Sequence, residues 1–200
     1  MTDYLDQVAQ LLQRVPRGAL TAIADHLWRA YCADAQIFAC GNGGSSATAS
    51  HFVEDLSKGI DLPPGAQRFR VISLVDSVPT LTAYANDLGY DCVFCEPLRN
   101  LARRGDVLFA ISGSGRSQNV LRAMEAAKEI GATVVALGGR DGGEMVAVAD
   151  LCLVAPVESM QQIEDAHLAI THAIYLDLKA RAETADRATR ATTAEQAARG

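Results

Sequence analysis

Basic residues are the minority charge in this chain: 18 Lys and Arg stand against 24 Asp and Glu, a net charge of −6. Non-specific binding to nucleic acid needs clustered cations that neutralise phosphates, so this balance argues against nucleic acid as a partner. Long apolar runs are also missing. No stretch approaches the roughly 20 residues that cross a bilayer, and Met1-Thr2-Asp3-Tyr4-Leu5-Asp6 lacks the basic and apolar regions of a signal peptide. The expectation is a cytoplasmic chain with no membrane partner. Cysteine is sparse and odd in number: Cys32, Cys40, Cys92, Cys95 and Cys152. The spacing Cys92-x-x-Cys95 has no second CxxC to complete a zinc knot, and its flanks Tyr90, Val93 and Phe94 read as a packed helix turn. Reduced thiols fit a cytosol. Neither a GxxxxGK[ST] loop nor a full GxGxxG with its acidic partner occurs, which counts against nucleotide and dinucleotide sites.

What is present is enough apolar sequence for one buried core: 49% of the 200 residues are hydrophobic and 21% charged. Residues 3–34 carry apolar positions at helical spacing, interrupted at Pro16 and Gly18. Short apolar runs at 36–40, 70–74, 106–111, 133–137 and 151–154 read as buried strands, with helices expected at 46–57, 78–103, 117–130 and from 160 to at least 182. The 78–103 stretch should break at Asn86-Asp87-Leu88-Gly89. Alternating strands and helices predict a doubly wound, mostly parallel five-stranded α/β sheet covered by helices on both faces. Residues 183–200 hold almost no large apolar side chain and read as a polar tail, a frayed or solvated helix outside the domain of residues 1–182.

Two Gly/Ser loops follow predicted strands: Gly41-Asn42-Gly43-Gly44-Ser45-Ser46 and Ser112-Gly113-Ser114-Gly115-Arg116-Ser117. In a doubly wound sheet, ligands sit at the carboxyl ends of strands. Glycines let the backbone approach an anion, helix N-termini supply positive potential, and serines add donors. A helix cap alone would need one serine, not three spread over six residues. The absence of a P-loop lysine favours a sugar phosphate over a nucleotide.

These loops belong to an ordered set with His51-Phe52-Val53-Glu54-Asp55-Leu56, Asn86-Asp87, Gly105-Asp106-Val107-Leu108, Ser117-Gln118-Asn119-Val120, Asp141-Gly142-Gly143, Ile163-Glu164-Asp165-Ala166-His167 and His172. The set, spanning roughly residues 5–180, resembles the sugar-isomerase (SIS) family and, within it, the phosphoheptose isomerases. That resemblance implies the SIS fold and a homotetramer packed through N- and C-terminal helices, with active sites at subunit contacts. It also implies conversion of sedoheptulose 7-phosphate to a heptose 7-phosphate, often with bound Zn²⁺. By motif, Ser45, Ser112, Ser114 and Ser117 would hold the phosphate, and Asn42, Gly43, Asp87 and Gly113 would line the sugar.

Aldose–ketose isomerisation moves a proton between adjacent carbons through an enediolate, so it needs a base, an acid and a stabiliser of the oxyanion. His51 and Asp55 stand at i, i+4 on one helix face, while Glu54 is turned about 100° away. Glu164 and His172 share a broad side of the last helix. His51, Asp55, Glu164 and His172 together would suit a tetrahedral zinc ion, and Asp55, Glu164 and His172 are the expected catalytic groups. His167 is expected to support or contact the site, and His26 to be exposed. Two positions depart from the family pattern, which carries Glu where this chain has Asp55 and Gln where it has Glu164. Asp is one methylene shorter, and about 1 Å of misplacement can cost about a hundredfold in rate. The alternative reading is a non-catalytic SIS tetramer that binds a protein or a sugar phosphate. Asp55, Glu164 and His172, which such binders tend to lose, weigh against it. A sensor with an attached DNA-binding domain finds no room here.

Overall fold

A computed structural model describes residues 2–197, with side chains described for 3–192. Helix α1 (Thr2–Gln13) stops before Pro16, whose missing amide hydrogen suits the position just ahead of α2 (Arg17–Cys32). Then follow β1 (Gln36–Gly41), α3 (Gly44–Lys58), β2 (Arg70–Ser73) and α4 (Val78–Asp87). A 3₁₀ turn at Tyr90–Cys92 leads into α5 (Cys95–Leu101), β3 (Val107–Ser112), α6 (Gln118–Ile130) and β4 (Thr133–Gly139). The chain ends with α7 (Met145–Val148), β5 (Leu151–Ala155) and α8 (Met160–Ala197). The break expected at 86–89 is where α4 ends, and Gly89 takes a φ of 102° there.

The five strands pair in parallel in the order β2-β1-β3-β4-β5. Each side of the sheet is dry. Ile37, Ala39, Val107, Phe109, Ile111, Val135 and Leu137 face a core shared with α2, α3 and α8. The alternate residues Phe38, Cys40, Leu108, Ala110, Val134 and Ala136 face α5 and α6. This two-sided burial is why the strands read as unbroken apolar runs rather than alternating ones. The chain winds outward from β1 to β2, then returns past β1 to β3, so the strand order reverses between β1 and β3. A crevice opens outside the strand ends at that reversal, and both Gly/Ser loops leave from it.

The tail differs from expectation in one respect. Helix α8 runs unbroken to Ala197, and Glu183, Ala185 and Asp186 are half-buried rather than fully solvated. Ala185, Asp186 and Arg190 lie beside Trp28, Tyr31 and the Pro63-Pro64-Gly65 turn around a cleft of about 470 Å³. The last residues of the expected tail, 198–200, lie outside the described residues. All five cysteines are unpaired, and no described helix is long and apolar enough to cross a membrane.

Candidate active site

Two helices start at the strand-order reversal. Helix α3 begins at Gly44 directly after the β1 loop, and α6 begins at Gln118 after the β3 loop. Their free amides and dipoles aim positive potential into one cleft of about 250 Å³. Asn42, Gly43, Ser45, Ser112, Gly113, Ser114 and Ser117 all line it, together with Gly44, Ile111, Met160 and Glu164. Ser117 precedes α6 yet makes no side-chain capping bond, so the loop's serines are not consumed as a helix cap. Instead the Ser112 hydroxyl accepts from the Gly115 amide at 3.1 Å and donates to the Ser117 hydroxyl at 3.3 Å.

The loop's single cation turns away from its serines. Arg116 forms a two-pronged pair with Asp141, at 3.0 and 2.7 Å, and donates to the Ser114 carbonyl at 3.1 Å. The guanidinium pulls the Asp141 carboxyl down to about 2, and the Gly143 amide assists. The donors this loop turns toward the cleft are therefore amides and hydroxyls, and Arg116 ties the loop to the 139–145 segment.

Helices α3 and α8 pack side by side in the same direction. The Glu164 carboxylate lies against Gly44, where an added Cβ would fall 2.3 Å from its Oε1. Further along, Asp55 Oδ2 is 3.8 Å from His172 Nε2 and 3.9 Å from His51 Nε2. At the far end the Tyr175 hydroxyl donates to the Gly59 carbonyl at 2.7 Å. Only glycine at position 44 allows α8 to come this close with a carboxylate in between.

His51, Asp55 and His172 each offer a ligand atom, all within 4.8 Å of one another. Tetrahedral zinc with bonds near 2.0 Å places its ligands roughly 3.3 Å apart, about 0.5 Å inside the two Asp55–histidine separations. Asp55 Oδ2 is buried and has no hydrogen-bond partner, an arrangement that costs free energy unless a cation or donor satisfies it. The residues present thus fit a divalent metal. The fourth expected ligand does not join them: Glu164 sits over two helical turns before His172, about 12 Å along α8, and lines the loop cleft instead. Asp87 is also elsewhere, accepting from Asn86 Nδ2 at 2.8 Å and lining a surface cavity with Pro79, Thr80, Ala83, Tyr84 and Leu88.

His167 is fully buried and bonds the Gly138 carbonyl through Nε2 at 2.9 Å. A carbonyl can only accept, so Nε2 carries the proton and Nδ1 is the bare nitrogen, with no partner. Burial pushes its pKa below the usual histidine range. It ties α8 to the end of β4, a supporting role. His26 is half-buried rather than exposed, and burial lowers its pKa as well. Met160 and Gly44 were not singled out in the sequence as site residues. The i, i+4 spacing of Met160 and Glu164 was the available signal, since one helix face carries both.

Comparison with known proteins agrees with this geometry. Residues 3–139 match the SIS domain family. The phosphoheptose isomerase of Mycobacterium tuberculosis is 44% identical over 167 residues, covering 82% of this chain and 83% of that protein. That of Halorhodospira halophila is 39% identical over 176 residues, covering 86% and 83%. Among solved structures, the phosphoheptose isomerase of Neisseria gonorrhoeae superimposes with a TM-score of 0.81 at 33% identity, covering 87% of this chain and 92% of that one. With its strand order, its paired Gly/Ser loops and these relatives, the chain belongs to the SIS domain family and to the phosphoheptose isomerases within it.

Proposed function

We propose that this protein converts sedoheptulose 7-phosphate to the corresponding heptose 7-phosphate through an enediolate. The observation that carries the reading is the shared α3–α8 interface. It links a cleft framed by two helix N-termini to a His51–Asp55–His172 cluster beginning about two helical turns further along α3. A seven-carbon substrate holds its phosphate several bonds from the reacting carbonyl, so a split site of this kind suits it. In this reading Ser45, Ser112, Ser114 and Ser117 hold the phosphate, and Asn42, Gly43 and Gly113 contact the sugar. His51, Asp55 and His172 would hold zinc, which when bound polarises a carbonyl and stabilises an oxyanion. Asp55 would take the proton through the carboxylate oxygen that the metal leaves free, and His172 would act by holding the metal against the reacting oxygens. Glu164 accepts from sugar hydroxyls between the two ends. Leu5 on α1 and Leu176 on α8 are 71% and 60% exposed, which supports a homotetramer packed through the terminal helices. The unpaired thiols support a cytoplasmic location.

Incubation of the purified protein with sedoheptulose 7-phosphate is expected to give a heptose 7-phosphate. A chelator should abolish conversion and added zinc restore it. Neither turnover nor bound metal would instead favour the non-catalytic binder. Glu164→Gln is expected to keep its zinc and to lower kcat/KM by about tenfold to a hundredfold, the range for losing a hydrogen bond to a charged group. Zinc loss in that variant would return Glu164 to the ligand set, and unchanged kcat/KM would remove it from the substrate's contacts.

A further inference from the structure

Asn119 is the second residue of α6, and only 3% of it is exposed. Its amide orientation follows from its neighbours. The Val120 backbone N–H lies 3.0 Å from one side-chain atom of Asn119 and can only donate, so that atom is Oδ1. The Asn119 Nδ2 must then donate to Asn42 Oδ1, at 2.8 Å, and Asn42 Nδ2 donates back to Asn119 Oδ1, also at 2.8 Å. The Tyr90 hydroxyl reaches the same Asn42 Oδ1 at 2.9 Å and, facing an acceptor, must donate. Both lone pairs of Asn42 Oδ1 are therefore used. One Nδ2 hydrogen is spent on Asn119, and a single hydrogen remains.

We propose that Asn119 and Tyr90 are positioning residues that hold Asn42 as a one-way hydrogen-bond donor to a substrate oxygen. The proposal rests on the sugar-phosphate reading of the cleft. The amide pair also joins the two phosphate loops: Asn42 belongs to the loop after β1, and Asn119 to the first turn after the loop of β3. Adjacent parallel strands define the spacing of the loop bases, but only a side-chain link such as this one defines the spacing of their tips. Tyr90 adds a third anchor, bringing the turn after α4 onto the same amide. Without these partners Asn42 could rotate its amide and present an acceptor, which an anionic or carbonyl oxygen would reject.

Asn42 meets the sugar next to its phosphate, in the cleft of the loop serines, with His51 about two helical turns further along α3. Its contact is made equally in ground and transition states, so its loss acts on KM. The test measures kcat and KM for sedoheptulose 7-phosphate, and the affinities of that sugar and of inorganic phosphate by calorimetry. The variants are Asn119→Ala, Asn119→Asp, Tyr90→Phe, Asn42→Ala and the Asn42→Ala/Asn119→Ala double.

Asn119→Asp is the sharpest variant: it keeps the acceptor for Val120 and for Asn42 Nδ2 but sets an oxygen against Asn42 Oδ1. Both Asn119 variants are expected to raise KM about tenfold, and Tyr90→Phe about threefold, with kcat within about twofold of wild type. The double variant should be little worse than Asn42→Ala alone. Tyr90 is 54% exposed, so its variant carries the test if buried Asn119 variants do not fold. Unchanged KM and affinities, or losses that add in full in the double variant, overturn the proposal. Equal falls in kcat across the set would overturn the placement at the phosphate end. A wild-type protein that binds sugar phosphate without turning it over overturns the isomerase reading while the affinities still decide this one. A wild-type protein that binds neither ligand overturns both.

Discussion

Replacing Asp55 by Asn is expected to remove bound zinc and to lower turnover by about a hundredfold or more, within the range for losing a general acid–base group. The side chain keeps its size, so the fold has no reason to change. What changes is charge and direction. Asp55 Oδ2 is a buried acceptor without a partner, 3.8 and 3.9 Å from two imidazole nitrogens. Those nitrogens serve a metal only when unprotonated, and a neutral amide supplies no charge to offset a divalent ion. Removing an unpaired buried carboxylate also relieves a desolvation cost, so the metal-free variant should melt no lower than the metal-free wild type. Zinc at about 100 times its Kd should add about 2.7 kcal/mol to the wild type, roughly 5–10 °C in Tm for a chain of this size. The variant should gain none of it. A variant that binds one zinc per chain and retains activity would sink the assignment of this cluster.

The second large effect is expected from Gly115→Ala, a single methyl group in the loop of β3. Gly115 adopts a φ of 63°, and a Cβ there would lie 2.0 Å from the Gly142 carbonyl oxygen and 2.5 Å from its carbon. Those are backbone atoms and cannot rotate aside. The contact is mutual, because a Cβ on Gly143 would meet the Gly115 carbonyl at 2.6 Å, and the Met145 amide donates to that same carbonyl at 3.1 Å. One of the two segments has to move, and both support the loop that carries Ser112, Ser114 and Ser117.

The left-handed backbone alone costs roughly 1–2 kcal/mol, and displacing packed backbone should bring the total to about 3 kcal/mol. At about 2–4 °C per kcal/mol this is a fall in Tm of roughly 6–12 °C. It should be joined by a KM raised at least about tenfold, since misplaced amides no longer converge on the phosphate. Gly65→Ala is the control: φ is 86° there, but no atom lies within 4 Å of the added methyl. It should lose only the backbone cost, a few degrees, and leave KM unchanged. Equal effects at the two positions would show that the close approach of the two loops does not matter.

Much of this was legible in the residues. The strands at 36–41 and 107–112 announced themselves because burial on both faces forbids polar interruptions. The serines after them stood out because a helix cap needs only one hydroxyl, and seven of the eight expected ligand-contacting residues do line one cleft. The eighth, Asp87, is exposed at the end of α4 and lines a separate cavity. His51 and Asp55 were paired by helical phase alone. Glu164 was grouped with them because it shares a broad side of α8 with His172 and stands at a ligand position of the family pattern; in the structure it lines the loop cleft instead. A shared helix face says that two side chains point the same way, but not which part of a neighbouring helix each one meets.

The two Gly/Ser loops were thus determined by the sequence itself, since strand, glycine turn, serines and following helix are all local features. Tertiary structure alone decided how the chemistry is divided. The side-by-side register of α3 and α8, allowed by the missing side chain at Gly44, sends His172 to Asp55 and Glu164 to the start of α3. That register is the sum of contacts between segments far apart in the chain, and no local pattern encodes it.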